Sequence, residues 1–296
     1  VESRIQPDRK LTARMGLTLF LLGLLYVAFA AVLVVLLKSV VLIVVILGGL
    51  LFAQYWYSDR ITLAALKGQI VTEEEYPQLH AIVDRLCALA DMPKPKVAVA
   101  ELDVPNAFAT GRNAEHAVVC VTTGMMALLD EKELEGVLAH ELTHVAHRDV
   151  AVITIASFLG VMAGLIMRFT LYSQAFGRRQ DQNTAIIMMA ITVVSLTVYA
   201  VSFVLIRALS RYRELAADRD GAILTGQPSE LASALVKLSD KSSRIPHRDL
   251  RSVQAFNAFF ISPVGGSIAN LFSTHPKLER RLEQLAQLSE QMGRPV

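Results

Sequence analysis

The chain has 296 residues, of which 53% are hydrophobic and only 19% charged, an apolar excess over ordinary soluble domains that points to membrane segments. A formal net charge of +2 with arginines scattered along the chain gathers no basic face, which argues against a nucleic-acid partner. Cys87 and Cys120 stand far apart with no Cys-x-x-Cys spacing, so neither a disulfide framework nor a cysteine metal site is indicated; both read as free thiols packed in a core.

In chain order, residues 1–14 form a tail carrying Arg4, Arg9, Lys10 and Arg14. From Met15 to Leu37 the chain is uncharged. At about 1.5 Å per residue that run crosses a hydrocarbon core of about 30 Å with some tilt. A cleaved signal peptide would have a shorter apolar core and a small-residue cleavage site. Instead, Lys38 is followed by a second apolar run, Ser39 to Tyr57. Residues 15–57 are expected to form a transmembrane hairpin, closed by Tyr55, Trp56 and Tyr57 as an interfacial aromatic belt.

After Arg60 the composition becomes that of a soluble domain. Thr72-Glu73-Glu74-Glu75 reads as a capping box opening a helix, with Leu79, Ile82, Val83, Leu86 and Leu89 at helical spacing up to Asp91. Met92-Pro93-Lys94-Pro95 stops it. Lys96–Ala100 and Ala117–Val121 are short and valine-rich, hence strands, with Asn106–Thr110 as an edge strand and Gly111-Arg112-Asn113 as the turn after it. A small sheet therefore precedes the next helix.

That helix opens on a second capping box, Asp130-Glu131-Lys132-Glu133, and continues without an internal breaker into His140-Glu141-Leu142-Thr143-His144. Histidines at i and i+4 lie one above the other on one helical face and can clamp a metal, while Glu141 is free to hold a water that the metal polarises. The pattern is that of a zinc hydrolase centre, and 58–149 is its N-terminal half. A chance match would lack the capped helix and the apolar flanks Val137, Leu138, Leu142 and Val145.

Residues 150–206 hold two more uncharged runs, Val150–Met167 and Thr184–Ile206, joined by a loop with Arg168, Arg178, Arg179 and Asp181. They are expected to be spans three and four. Lys and Arg at the tail, at Arg60 and Lys67, and at Arg207, Arg211 and Arg213 then share one side, the cytoplasm, which also holds the metal helix. The arginines of the third loop run against that orientation.

Catalytic zinc takes three protein ligands and a water. His147 shares the face of His144, but one rigid helix seldom wraps three ligands round an ion, and the extended metzincin spacing is absent, since Val150 stands where its third histidine belongs. The better source lies in 207–296, the C-terminal half of the domain, where Glu214 and Asp218 stand at i and i+4 with Ala216 and Ala217 permitting close helix approach. Glu214 is assigned to the metal, and Asp218 to the N–H of a ligand imidazole. The competing reading is a solvated charged face paired to Arg211 and Arg213.

Taken together, Pro105–Gly111, His140–Asp149, Glu214–Asp218, Ser273-Thr274-His275-Pro276 and the N-terminal hairpin resemble the HtpX-type membrane zinc metallopeptidases, bacterial relatives of the CAAX prenyl proteases. The resemblance covers nearly the whole chain. It implies a mainly α, α+β multi-span membrane protein with a zincin-like (gluzincin) domain containing a small β-sheet. It also implies one Zn(2+) on His140, His144 and Glu214, with Glu141 as general base. Misfolded or damaged membrane proteins would be the substrates, in quality control under stress at the bacterial inner membrane.

With zinc in place, the pKa of its water falls from about 16 to about 7, and Glu141 takes the proton as the peptide carbonyl is attacked. The oxyanion needs a further donor. His275 is the candidate, because Pro276 suits the first position of a helix with the stripe Leu278, Leu282, Leu285 and Leu288; an ordinary cap is the alternative. Arg281 would pair with the carboxylates around the metal or stay solvated. Asn106 and Ala107 would offer backbone groups, and Asn106 its amide, to an extended substrate strand, or form a plain turn after Pro105. Phe256–Gly266 reads equally as a lid, a membrane-dipping loop or core packing. A transporter or scaffold that binds metal without hydrolysis is the contrasting function, but it has no need of Glu141, and the apolar runs contain no charge.

Overall fold

The computed structural model describes residues 9–37, 68–111, 113–149, 182–244 and 276–293, with positions 49, 52, 56, 152, 160, 162–164, 166–168 and 170–171. Most of the second and third apolar runs, His275 and Phe256–Gly266 lie outside the described residues. The chain divides into two compact units. One comprises Val1–Leu11, Tyr57–Val150 and Ser210–Val296, the other Thr12–Trp56 and Ala151–Leu209.

The first unit is built on a four-stranded mixed sheet in the order β1-β2-β4-β3. Its strands are β1 (Gly68–Ile70), β2 (Lys96–Ala100), β3 (Ala107–Thr110) and β4 (Val118–Thr122). β2 and β4 run parallel; β1 on β2 and β3 on β4 are antiparallel. Side chains alternate across the sheet. Val97, Val99, Ala107, Val119 and Val121 join the main core, while Ala98, Ala100, Phe108, Val118 and Cys120 form a second cluster. With both faces covered, the central strands read as unbroken apolar runs, which is why the sequence reveals them. β1 is too short for its alternation to show in advance.

Helix α2 (Pro77–Ala90) packs Leu79, Ile82, Val83 and Leu86 into the main core. It starts later than the expected capping box. Glu75 does accept the backbone N–H of Thr72 at 2.8 Å and its hydroxyl at 3.2 Å, but these bonds close a separate turn over residues 73–75. Pro77 then fixes the first helical φ. The buried thiols behave as expected, because burial lifts Cys87 to about 11 and Cys120 to about 12 and leaves both protonated.

After the short helix α3 (Thr123–Leu128), helix α4 (Glu131–Ala146) carries the histidines, and its capping box is complete. Asp130 accepts from the N–H of Lys132 and Glu133, and Glu133 accepts from the N–H of Asp130. Mid-helix Gly136 serves contact: a Cβ there would sit 3.2 Å from the Leu231 Cα. Helix α6 (Pro228–Arg244) therefore lies directly on α4. Buried Glu133 ties the two together, accepting from Ser233 Oγ at 2.7 Å and from Lys237 Nζ at 2.6 Å. Glu133→Ala should remove half the cap and the bond to Ser233. A loss of about 1–2 kcal/mol is expected, read as a lower melting temperature in detergent, with no change in metal content.

Helix α5 (Gln182–Thr225) is one continuous helix of 44 residues. It belongs to the second unit up to Leu209 and to the first from Ser210. The fourth apolar run and the Glu214 segment are thus a single helix. Helix α7 (Leu278–Gln291) buries Leu285 and sets Leu278 and Leu288 against the core. Lys277 is its N-cap, so Pro276 precedes the helix and does not occupy its first position.

In the second unit, helix α1 (Arg9–Leu37) and the first part of α5 are long and apolar enough to cross a membrane. Leu17, Phe20, Leu24 and Val27 on α1, and Ile186, Met189, Val193 and Val204 on α5, are exposed. An aqueous surface would not carry so many large apolar side chains along two helices, whereas a lipid-facing one does. On α5, buried Ser202 and the exposed Tyr199 ring each lie against a glycine. A Cβ at Gly160 would meet Ser202 at 3.1 Å, and one at Gly164 would meet the Tyr199 ring at 3.1 Å, the close approach that small residues provide between membrane helices.

Candidate metal centre

α4 and the C-terminal part of α5 meet where the sequence places its two halves. Gly221 of α5 rests on the α4 backbone, where a Cβ would lie 2.9 Å from the His140 N. This contact, with fully buried Ala217 beside it, brings Glu214 and Asp218 against the histidine face. Sequence reading credits Ala216 and Ala217 with that approach; Gly221 is the tighter point.

The two imidazoles stand edge to face with centroids 4.8 Å apart and Nε2 atoms 3.2 Å apart. Glu214 Oε1 lies 3.4 Å from His144 Nε2, and its Oε2 lies 3.7 Å from His140 Nε2. Ligand bonds of about 2.0–2.2 Å in tetrahedral array put neighbouring donors about 3.3–3.5 Å apart, so these separations fit an ion at their centre. His140, His144 and Glu214 form a group able to hold a metal, each offering one ligand atom within 4.8 Å of the others.

Each ring also has a carboxylate behind it. His140 Nδ1 is 2.9 Å from Asp218 Oδ1, within hydrogen-bonding distance but without hydrogen-bond alignment. His144 Nδ1 is 2.6 Å from Asp149 Oδ2. Carboxylates on both Nδ1 positions direct the Nε2 atoms toward each other and toward Glu214, an arrangement suited to holding a cation. Asp218 is held in turn by Arg281 of α7, whose Nε and Nη2 donate to its two oxygens at 2.6 Å each, with Nη1 3.8 Å from Glu214. Arg281 is buried, not solvated.

Charge states follow from these contacts. Burial pushes the Asp218 carboxyl up, but Arg281 and His140 hold it below the usual range. Burial opposes a charge on His144, yet Asp149 and Glu214 lift it to about 10; a metal entering there displaces a proton. Asp149 is resisted by burial and drawn down to about 2 by His144 and Arg213. Burial raises Glu141, the two histidines lower it and Glu214 raises it again. A carboxyl lifted in this way accepts a proton more readily than a free one.

Glu141 does not join the cluster. Its Oε2 accepts the backbone N–H of Ala109 at 2.9 Å, so the carboxylate stands between the ligands and edge strand β3. Ala109 therefore turns its N–H away from β4. Ala107, two residues earlier, turns its main-chain groups to the same side by ladder register, where it is fully buried. Asn106 does not. Its N–H donates to Thr122 Oγ1 at 2.8 Å and its carbonyl accepts the Thr122 N–H at 2.9 Å, so the main-chain groups of Asn106 are already spent inside the sheet. His147 points elsewhere, 3.3 Å from Asp220 Oδ2, which agrees with its exclusion as third ligand.

Asp149 and Arg213 are absent from the sequence-based site. Asp149 carries one signal, an acidic residue just beyond a helix C-terminus, where the helix dipole disfavours negative charge unless a partner compensates.

The fold, the buried His-His-Glu cluster and the adjacent carboxylate are those of a metal-dependent hydrolase. The chain belongs to peptidase family M48, whose model matches residues 73–289. It is 62% identical over 296 residues to the protease HtpX homolog 1 of Streptomyces coelicolor, covering 99% of this chain and 97% of that one. It is 54% identical to the protease HtpX homolog of Moorella thermoacetica over 98% of both. The crystal structure of S. mikatae Ste24p shares the fold, with a TM-score of 0.57 at 18% identity. That match covers 89% of this chain and 62% of the Ste24p chain. The protein is a membrane metalloprotease, and its relatives give the transporter or scaffold reading no support.

Proposed function

We propose that this metalloprotease is a zinc endopeptidase of the gluzincin type, with one ion on His140, His144 and Glu214. The observation that carries the reading is the position of Glu141, next to the first ligand histidine and bonded at 2.9 Å to the β3 N–H of Ala109. The two-imidazole, one-carboxylate donor set suits zinc. A bound zinc supplies Lewis acidity toward water and the scissile carbonyl. An extended substrate segment pairs with the β3 edge once Ala107 is uncovered, Glu141 takes and returns the proton, and Arg281 with Asp218 fixes His140. His275, outside the described residues, is the proposed donor to the carbonyl oxygen.

Main-chain pairing at an edge recognises extended backbone with little regard to side chains. That supports unfolded or misfolded segments of membrane proteins as substrates. The proposed setting is the bacterial cell membrane, with residues 15–57 and 150–206 supplying four spans in the lipid bilayer. Residues 58–149 and 207–296 supply the peptidase domain. Lys and Arg at the ends of the spans support a cytoplasmic active site.

The test is metal removal. The full chain in detergent should contain about one zinc, lose cleavage of casein on chelation, and regain it with stoichiometric zinc. Cleavage that persists in a metal-free preparation would refute the reading.

A further inference from the structure

Asp149 and Arg213 belong to no ligand or catalytic assignment, yet they stand directly behind the metal cluster. α4 ends at Ala146, and Arg148, with φ +55°, reverses the chain. A left-handed arginine is strained relative to glycine, and what the reversal achieves is specific: Asp149 is turned back beneath His144. There it is 2% exposed, with Oδ2 2.6 Å from His144 Nδ1 and Oδ1 2.8 Å from Arg213 Nε, the latter an ion pair without hydrogen-bond alignment. Arg213 immediately precedes Glu214 in α5 and is itself buried.

We infer that Asp149 is a positioning residue for His144 and that Arg213 acts through it, forming a second carboxylate–arginine relay parallel to Asp218–Arg281 behind His140. An Nδ1–H held by a charged carboxylate fixes the ring tautomer and makes Nε2 a stronger donor to a metal. Arg213 packs its charge against that carboxylate and holds it in place, so the segment that supplies Glu214 also sets the quality of the His144 ligand. Each ligand imidazole thus has its own buried anion and its own guanidinium, one pair drawn from α5 and α7, the other from the end of α4 and α5. The inference rests on the metal-centre reading above.

The test uses the full chain in detergent, as wild type, Asp149→Asn, Asp149→Ala, Arg213→Gln and the double variant Asp149→Asn/Arg213→Gln. Zinc affinity is measured against a competing chelator, and the visible absorption of the cobalt-substituted protein reports ligand geometry. Asp149→Asn should bind zinc about 10–100-fold more weakly and shift the cobalt bands. Arg213→Gln should weaken binding as well, and the double variant should bind no more weakly than Asp149→Asn alone, because the two act in series. If Asp149→Ala does not fold, the isosteric Asn variant carries the comparison. Wild-type affinity and an unaltered cobalt spectrum in Asp149→Asn would overturn the relay even with a lowered melting temperature, since a mere staple affects folding and leaves the metal as it was. A Glu214→Gln chain that binds zinc as tightly as wild type would instead sink the metal-centre reading itself.

Discussion

Glu141→Gln should retain metal at wild-type stoichiometry while cleavage of an unfolded substrate falls by about 10²–10⁴-fold. The carboxamide has the shape of the carboxylate, and its oxygen can still accept the Ala109 N–H that Glu141 Oε2 now holds at 2.9 Å. It cannot accept a proton from water. His140, His144 and Glu214 are untouched, so metal analysis and the melting temperature should match the wild type. Glu141→Ala should lose activity to the same extent, with the Ala109 N–H also left without this acceptor. Undiminished release of peptides from casein by either variant would remove Glu141 from the chemistry. Loss of metal together with activity would show that Glu141 supports the cluster instead of acting beside it.

Most of this centre is legible in the sequence because helical spacing is rigid. His140 and His144 share a face by geometry alone, and Glu214 with Asp218 does the same on α5. How the faces meet is another matter, since it depends on Gly221 and Gly136, whose missing side chains carry no periodic signal. The contact of Asp149 with His144 is hidden in the sequence because it follows from a left-handed Arg148, not from a regular repeat. Asn106 is deceptive for a related reason. Its place at the start of β3 suggests open main-chain groups, but which edge a residue faces depends on ladder register, and register places Asn106 toward Thr122. The late start of α2 has a local cause: the Thr72–Glu75 bonds exist, but they close a turn before Pro77 begins the helix. Likewise, hydropathy reveals the fourth apolar run as long enough to cross a membrane but not its continuation through Glu214 as one helix. No breaker separates Ile206 from Arg213, so hydropathy ends there while helicity does not.

Arg281→Leu is expected to be the most destabilising of these substitutions. Arg281 and Asp218 are 3% and 0% exposed and share two hydrogen bonds of 2.6 Å. Removing the guanidinium leaves a buried carboxylate with His140 as its remaining described partner, a change worth about 3–5 kcal/mol. The effect should carry a pH signature in metal-free protein. In the wild type Asp218 is held below its ordinary value of 3.8 despite burial. The pair therefore contributes fully above that value, and its contribution is lost as the pH falls through the lower folded pKa. In Arg281→Leu, burial acts with far less opposition and the folded pKa of Asp218 rises above the unfolded one. The unfolded state then releases the proton more readily, so the deficit is greatest near neutrality and shrinks as the pH falls toward that of a free carboxyl. Melting temperatures of both proteins between about pH 4 and pH 8, with chelator present, should converge toward the acid end. Asp218→Asn/Arg281→Leu should melt above Arg281→Leu alone at neutral pH, because it removes the stranded charge. A deficit that is the same at every pH, with no recovery in the double variant, would mean that Arg281 contributes its apolar packing alone, and that His140 is not held by a charged Asp218.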